Sequence, residues 1–303
     1  MIMRNIAIMI ATLLLLANPS LLTAQAVTTC STVSGEITDV VGDHPGRGWC
    51  LMTPESMQIK VHFIGLCRSE PTWENFDTIC DQLFSSSSGK LATISKDAAF
   101  PLIDNMSIPE GTYTHAAIFI DRSIRHSSVV KFATPRRGKS GDPNGDNITG
   151  KVCWSLEMTA ANDTDPAENA YSSFGADCGD EEGDRGYNIS ENNIIYHNLT
   201  GVPGDLSEGV TESTTWKVYL LNSSRQRDSD VTDGKVDNAK YFIGIQKFNN
   251  PVEIKPSTTT VDLGFRLTNT FGVLMGNDGA ATPVRDTIRR FILGGFEFKV
   301  NPS

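Results

Sequence analysis

The alternation of apolar and polar positions predicts β-strands along most of the chain. Met57, Ile59, Val61 and Phe63 stand at every second position, with polar residues between them. This period of two is typical of an antiparallel strand with one buried and one polar face. The four apolar side chains are therefore predicted to share one face.

Residues 112–120 form the most strongly strand-like stretch. They are rich in β-branched and aromatic side chains and follow the turn signal Pro109-Glu110-Gly111. This combination predicts a buried strand, entered through a tight turn, around which the rest of the fold is organised. His115 lies within the stretch, and we interpret it as a residue on one face of the strand.

Short strand patterns return in the C-terminal part of the chain, and no long helical pattern separates them. They cover residues 215–221, 240–248, 259–268 and 291–300. The serine-rich residues 84–89 predict a turn between two earlier strands. Many short strands between turn residues predict an all-β fold, specifically an antiparallel β-sandwich.

Composition divides the chain into four parts. Residues 1–26 are predicted to be a signal peptide, residues 27–135 the N-terminal part of the sandwich, and residues 215–303 its C-terminal strands. Residues 136–214 are rich in Gly, Asp, Asn, Ser and Thr. This middle part predicts a long, irregular, acidic insertion on the surface that is stapled by a disulfide.

The N-terminal segment has the order of a secretory signal. Arg4 precedes an apolar run over residues 6–17, and Ala24-Gln25-Ala26 is a small-x-small cleavage site. The apolar run is too short to span a bilayer. We therefore expect a protein secreted to the extracellular space or cell surface, or to the periplasm, with no membrane insertion after signal removal.

The cysteines predict a disulfide framework. An even number of cysteines in an exported chain is typical of disulfides, and three bridges allow fifteen pairings. Short loops close most easily, which favours pairing in sequence order. Zinc is disfavoured because no Cys-x-x-Cys pair occurs. The expected bridges are Cys30–Cys50, Cys67–Cys80 and Cys153–Cys178.

Charge and missing motifs exclude some functions. The formal net charge of −10 argues against nucleic acid as a partner. Neither Gly-x-Ser-x-Gly nor His-Glu-x-x-His occurs. Glu181, Glu182 and Asp184 are conceivable acids of a secreted hydrolase, but a glycine-flanked loop is a poor platform for carboxylates that need a fixed separation. We therefore expect no enzymatic activity.

Calcium is the cofactor that the sequence suggests. Asp142, Asn144 and Asp146 place oxygen-bearing side chains at alternate positions, the spacing that calcium loops use to converge on one ion. The loop signature is incomplete, since Asn147 stands where the pattern has Gly and Cys153 where it has Glu. The segment is thus either a weak Ca²⁺ site or a solvated turn.

Tryptophan is the residue type that a carbohydrate site would use. Each tryptophan stands beside a strand pattern or a cysteine, so packing in the core is the competing interpretation. The residues concerned are Trp49, Trp73, Trp154 and Trp216.

Three segments occur in an order that suggests a family. They are the strand at residues 57–63, the apolar segment Phe100-Pro-Leu-Ile103, and the turn and strand Ile108-Pro-Glu-Gly-Thr-Tyr-Thr114. This arrangement resembles uncharacterised secreted bacterial β-sandwich domains with a transthyretin-like or immunoglobulin-like build. Residues 260–269 look similar to secreted proteins of marine bacteria. The resemblance implies an exported β-domain and carries over no catalytic or binding residue.

These features together predict a secreted, non-catalytic protein with a role in cell-surface structure, adhesion or extracellular assembly. Its partners would be other copies of itself or cell-surface components. The residues 291–300 either close the protein's own sandwich or are donated to a neighbouring copy in a fibre, with Phe296, Phe298 and Val300 on one face. An extracellular calcium- or carbohydrate-binding module is the alternative, and a secreted hydrolase comes third.

Overall fold

The computed structural model describes residues 29–39, 47–95, 108–138, 149–157, 176–189, 206–210, 214–227, 239–258, 261–268, 271–276, 287–293 and 297–303. Within these ranges the protein is mostly β, with eighteen strands and one helix of a single turn. No helix in this part of the chain is long and apolar enough to cross a membrane. In chain order the elements are β1 (Ser31–Val33), β2 (Glu36–Asp39), β3 (Arg47–Met52), β4 (Ser56–Cys67), α1 (Phe76–Ile79), β5 (Cys80–Ser95), β6 (Gly111–Asp121), β7 (Arg125–Ser127), β8 (Val129–Arg137), β9 (Thr149–Ser155), β10 (Ala176–Gly179), β11 (Asn188–Ile189), β12 (Leu206–Val210), β13 (Thr214–Asn222), β14 (Ala239–Ile254), β15 (Val261–Arg266), β16 (Phe271–Gly276), β17 (Thr287–Leu293) and β18 (Glu297–Pro302).

A large antiparallel sheet contains the longest strands. Its order is β11-β7-β4-β6-β14-β13-β12, and β5 pairs with β4. β6 lies between β4 and β14 and pairs with both, as Phe63↔Phe119 and Phe119↔Ile243 illustrate. The stretch predicted to organise the fold is therefore an interior strand of this sheet, with residues 115–120 all buried.

The large sheet is apolar on both faces, which we name face A and face B. Face A carries Met57, Ile59 and Val61, and Phe298 of the two-stranded β15–β18 ribbon packs against it. Face B carries Phe63, Phe119, Leu221, Ile243 and Ile245, and the buried Phe76 of helix α1 packs against these residues. The central strands consequently lose water from both sides, where the sequence predicted one polar face.

The loop of residues 68–79 covers part of face B. Cys67 and Cys80 at its two ends are register partners on β4 and β5 and form a disulfide. Lys217 Nζ donates a hydrogen bond of 2.8 Å to Glu70 Oε1, which lowers the pKa of Glu70. The loop is therefore fixed at its ends by the disulfide and held to the sheet by apolar and ionic contacts.

A second sheet has the order β1-β2-β8-β17-β16-β3, with β9 on β8 and β10 on β9. Its described core includes Phe132, Val273, Met275 and Ile288 together with two disulfides. The bridges are Cys30–Cys50 and Cys153–Cys178, so all three pairings favoured by sequence order are present.

The buried Gln246 of β14 holds the ribbon strand β18 to face A. Its Nε2 donates to the Phe298 carbonyl at 2.7 Å, and its Oε1 accepts from the Phe298 amide at 2.8 Å. The carboxamide thereby satisfies the main chain of a strand that is buried at this point, as a neighbouring strand would.

Several predictions from the pattern were wrong in detail. Residues 84–89, predicted as a turn, lie inside β5, and the predicted strand at 291–300 is divided between β17 and β18 in different sheets. The insertion at 136–214 contributes β9 to β12 to the two sheets, and the Cys153–Cys178 disulfide is fully buried. The described part of this segment is thus built into the fold, where a surface addition was expected.

Candidate functional site

The most irregular point of the large sheet lies at His62 on β4. Val61 pairs with Ile120 and Phe63 pairs with Phe119, so two consecutive residues of β6 face three residues of β4. His62 is the extra residue of this β-bulge, and bulges re-aim side chains next to functional sites. Both His62 and Phe63 consequently lie on face B, which corrects the prediction that Phe63 shares a face with Val61.

The strand β5, which pairs with β4 on the side opposite β6, is irregular at the same place. Val61 pairs with Lys90 of β5 and Phe63 with Ser85, so residues 86–89 lie opposite the single His62. Gly89 has a φ of +73°, and a Cβ atom there would lie 2.8 Å from His62 Cε1. Only glycine fits both the backbone conformation and this close approach.

The His62 ring connects three strands. Its Nε2 lies 2.7 Å from Asp121 Oδ1 on β6, and its Nδ1 lies 3.2 Å from the Ser86 carbonyl oxygen on β5. The side chain is only 5 % exposed. Both partners are acceptors, so each bond forms when that ring nitrogen carries the proton and donates. A neutral ring has a single N–H, so one nitrogen donates and the other keeps its lone pair turned towards a protein acceptor; because the ring is buried between the strands, neither nitrogen is exposed to a substrate.

Aromatic rings surround the histidine on face B. The His62 centroid lies 5.4 Å from that of Phe119 and 5.1 Å from that of Tyr241, which meets it edge-on. Phe119 also contacts Phe76 of the covering loop, at 5.5 Å. These tilted and edge-on contacts fix the ring from the side opposite the bulge.

Two exposed cations flank this cluster. Lys60 Nζ lies 3.7 Å from Asp121 Oδ2. The Arg225 guanidinium lies over the Phe119 ring, with Cζ 4.9 Å from the centroid, and is 3.8 Å from Asp77. Arg225 has a φ of +59°, an uncommon conformation for a residue with a side chain. We name Lys60, His62, Asp121, Arg225 and Tyr241 the face-B cluster.

The predicted calcium ligands Asp142, Asn144 and Asp146 lie outside the described residues. Within the described ranges, no group of three or more His, Cys, Asp or Glu side chains is arranged to hold a metal ion. In the acidic segment at residues 177–184, Asp177 Oδ1 accepts a hydrogen bond from the Cys178 amide at 2.8 Å. These contacts leave the calcium hypothesis a prediction.

The other acids and histidines occupy separate places. Glu182 pairs with Arg185 at 3.1 Å, on an exposed turn. His115 is buried on β6 as expected of a strand residue, with Thr114 Oγ1 2.8 Å from its Nδ1, and burial lowers its pKa. His126 on β7 is fully buried, which lowers its pKa to about 3. We find none of them beside the face-B cluster in the part of the chain that the structure describes.

The three tryptophans with described side chains do not form a common binding surface. Trp154 is buried. Trp73 packs on the face-B core, whereas Trp216 alternates with Lys217 and lies on the side of Val218 and Leu220, which belong to face A. The side chain of Trp49 lies outside the described side chains.

The sequence contained one signal for the face-B cluster that the strand pattern concealed. A glycine inside a strand indicates a bulge or a close approach of another group. Gly89 at the end of four serines is such a signal, and the excursion of β5 that it terminates receives the Nδ1 bond of His62. Asp121 and Arg225 come from distant segments, so only the folded sheet brings them to His62.

Comparisons of the chain with protein-family models, with curated proteins and with solved structures find no match. The functional assignment therefore depends on the geometry of the chain itself.

Proposed function

We propose that this chain is a secreted, non-catalytic β-sandwich protein that acts in cell-surface structure, adhesion or extracellular assembly. The observation that carries the proposal is the burial of His62, because its side chain is 5 % exposed and both ring nitrogens face protein acceptors, so the ring is not presented to a substrate. The β15–β18 ribbon facing the large sheet supports a sandwich of immunoglobulin-like or transthyretin-like build. Three disulfides fit an oxidising compartment.

The first test asks whether His62 supports catalysis. The protein and its His62→Gln variant would be incubated with chromogenic esters, glycosides and peptides. We expect no turnover above buffer for either protein. Turnover by the wild type that is lost in His62→Gln would overturn the non-catalytic assignment, because glutamine keeps hydrogen bonding but cannot exchange a proton near neutral pH.

The second test asks whether copies of the protein assemble. The strand β18 supplies the buried Phe298 and Val300, which a second copy could supply equally well by strand exchange. Light scattering and electron microscopy would compare the full chain with a variant lacking residues 297–303. Polymers that vanish on truncation would support assembly through β18. A full chain that stays monomeric at every concentration would contradict assembly through this strand and leave adhesion as the proposed role.

Carbohydrate binding is a second candidate function, because Lys60 and Arg225 are exposed cations beside the half-buried Tyr241. Its ligand class can be argued from the same geometry.

A further inference from the structure

We propose that Lys60 and Arg225 on face B bind an acidic polysaccharide through its carboxylate or sulfate groups. The proposal rests on the proposed extracellular role only for the choice of a polysaccharide among anionic polymers. The position of the site and the sign of its ligand's charge follow from the contacts of the face-B cluster.

The two cations converge above one strand. Lys60 extends from β4 to Asp121, and Arg225 extends from the turn after β13 to Phe119. Asp121 and Phe119 are two positions apart on β6, so their side chains share a face and their Cα atoms are roughly 7 Å apart. The two cationic groups are therefore on the order of 10 Å apart. One small oxyanion would not contact both groups, whereas neighbouring charges of a polyanion would.

Both cations are available to a ligand. The side chain of Lys60 is 44 % exposed and that of Arg225 is 50 % exposed. Their contacts with Asp121 and Asp77, at 3.7 and 3.8 Å, are longer than charge-assisted hydrogen bonds. Asp121 is also engaged through Oδ1 by His62. An incoming carboxylate or sulfate can thus exchange with weakly held internal partners.

The backbone around the site is specialised to present these groups. The positive φ of Arg225 is uncommon in a residue with a Cβ, and such conformations cluster at functional sites. The bulge at His62 and the excursion at residues 86–89 fix Asp121 from the other side. The guanidinium lies over the Phe119 ring while half of the Arg225 side chain stays exposed, so part of the cationic group faces solvent.

The net charge of −10 opposes long-range attraction of every polyanion. Binding at this site must then come from local contacts, and we expect it to be modest and selective for ligands that also pack on a ring. Tyr241, half-buried and next to His62, supplies such a ring for a sugar. The bases of a nucleic acid can also pack on an aromatic ring, so nucleic acid is treated as an alternative outcome of the test.

The test is isothermal titration calorimetry with defined probes at low and at physiological salt. The probes are an oligogalacturonate, a sulfated dextran oligosaccharide, neutral dextran, sodium sulfate and a DNA duplex. We expect the two acidic saccharides to bind at least tenfold more tightly than neutral dextran and than sulfate alone. The ratio between uronate and sulfated probes identifies which acidic group the site takes.

Variants assign any binding to the site. Lys60→Gln with Arg225→Gly should weaken acidic-saccharide binding at least tenfold, and Arg225→Gly also relieves the positive φ, so folding is preserved. Arg225→Asn, which tolerates the same backbone, serves as the second variant. The matched control removes the same charge elsewhere, with Lys151→Gln on β9 and Lys255→Gln after β14.

The proposal is overturned if the control with Lys151→Gln and Lys255→Gln weakens saccharide binding as much as the variants at Lys60 and Arg225 do. It is also overturned if the variants at Lys60 and Arg225 bind the acidic saccharides as tightly as the wild type. Binding of sulfate or DNA as tight as that of the acidic saccharides would overturn it as well. These outcomes are independent of the hydrolase test. Saccharide binding together with turnover would reject the non-catalytic function alone, and absence of both would reject the site alone.

Discussion

The two large sheets of this protein stabilise their cores in different ways. In the second sheet, four of the eleven buried core residues are disulfide-bonded cysteines. On face A of the large sheet the buried cluster contains aliphatic and aromatic residues and no cysteine. The large sheet thus depends mainly on apolar burial on two faces, with one disulfide, Cys67–Cys80, on face B, while two disulfides cross-link the smaller described core of the second sheet. A sheet that buries less apolar surface needs such links, as small secreted domains do.

Truncation of Phe298 is expected to have the largest effect, on the large sheet. Phe298 is 1 % exposed and packs in the face-A cluster, with Phe265 at 5.3 Å between ring centroids. Phe298→Ala should lower the free energy of unfolding by about 3–5 kcal/mol because it creates a cavity. Denaturant unfolding would measure this loss. A loss below about 1 kcal/mol would show that the ribbon does not belong to the core.

Removal of the Cys153–Cys178 disulfide should affect the second sheet first. These cysteines are register partners of β9 and β10 and both are fully buried. Cys153→Ala with Cys178→Ala should cost about 2–4 kcal/mol. Hydrogen exchange should then show loss of protection in β8 to β10 while β6 and β14 stay protected.

The disulfide framework itself can be mapped before any mutation is made. Non-reducing peptide mapping of the purified protein should find the three bridges and no free thiol. Free thiols, or an equal loss of protection in both sheets of the double variant, would contradict the division into a covalently linked sheet and an apolar one.

Replacement of Gln246 should have an intermediate effect. Gln246→Ala leaves the amide and carbonyl of Phe298 without their two side-chain partners. Each unsatisfied buried group costs about 1–3 kcal/mol, and water entry reduces the sum, so we expect a loss of about 2–3 kcal/mol. Gln246→Glu is the matched control, because it keeps the shape and the acceptor and loses the donor. Equal stability of Gln246→Ala and wild type would show that β18 is held by packing alone.

Much of the architecture was predictable, because β-branched periodicity and the turn at Pro109-Glu110-Gly111 locate β6 directly. Pairings that depend on the backbone were not. The polar residues 86–88 carry no strand signal, and they lie in an excursion of β5 opposite His62, between the pairs Val61–Lys90 and Phe63–Ser85. One extra residue at His62 reverses the side-chain alternation, which moved Phe63 to face B. The face-B cluster needs residues from four separate strands and turns, which no local pattern specifies.

Acid should weaken the link between the two sheets. His126 lies on β7, and the adjacent Ser128 exchanges hydrogen bonds with Ser155 of β9. Burial lowers the pKa of His126 in the folded protein to about 3, whereas the histidine side chain of the unfolded chain has its ordinary pKa of 6.5. The unfolded chain therefore binds one more proton between these values, so stability is complete above about pH 6.5 and falls as the pH drops towards 3.

The expected slope from this histidine is about 1.4 kcal/mol per pH unit. Unfolding midpoints from pH 7 to pH 4 would measure it. In His126→Leu the slope should fall by one proton, and the remainder includes His115, whose pKa burial also lowers. An unchanged slope in His126→Leu would show that its ring is charged in the folded protein.

The smallest expected effect is that of calcium. If Asp142, Asn144 and Asp146 bind the ion, calorimetry should show weak binding that Asp142→Ala reduces. Identical titrations for both proteins would remove this segment from consideration and would leave the comparison of the sheets unaffected.

The excursion at residues 86–89 also shapes the edge of the large sheet. Within the described ranges β5 pairs with β4 alone, so its outer side is a sheet edge, and Leu91 on it is 59 % exposed. A long regular edge with an exposed apolar side chain is a template for aggregation. The excursion divides this edge into two shorter ladders that no straight incoming strand can match over its length. A shorter β5 without residues 86–88 would regain regular pairing with β4, so the irregularity that shapes the His62 region also shortens the regular edge that an incoming strand could pair with.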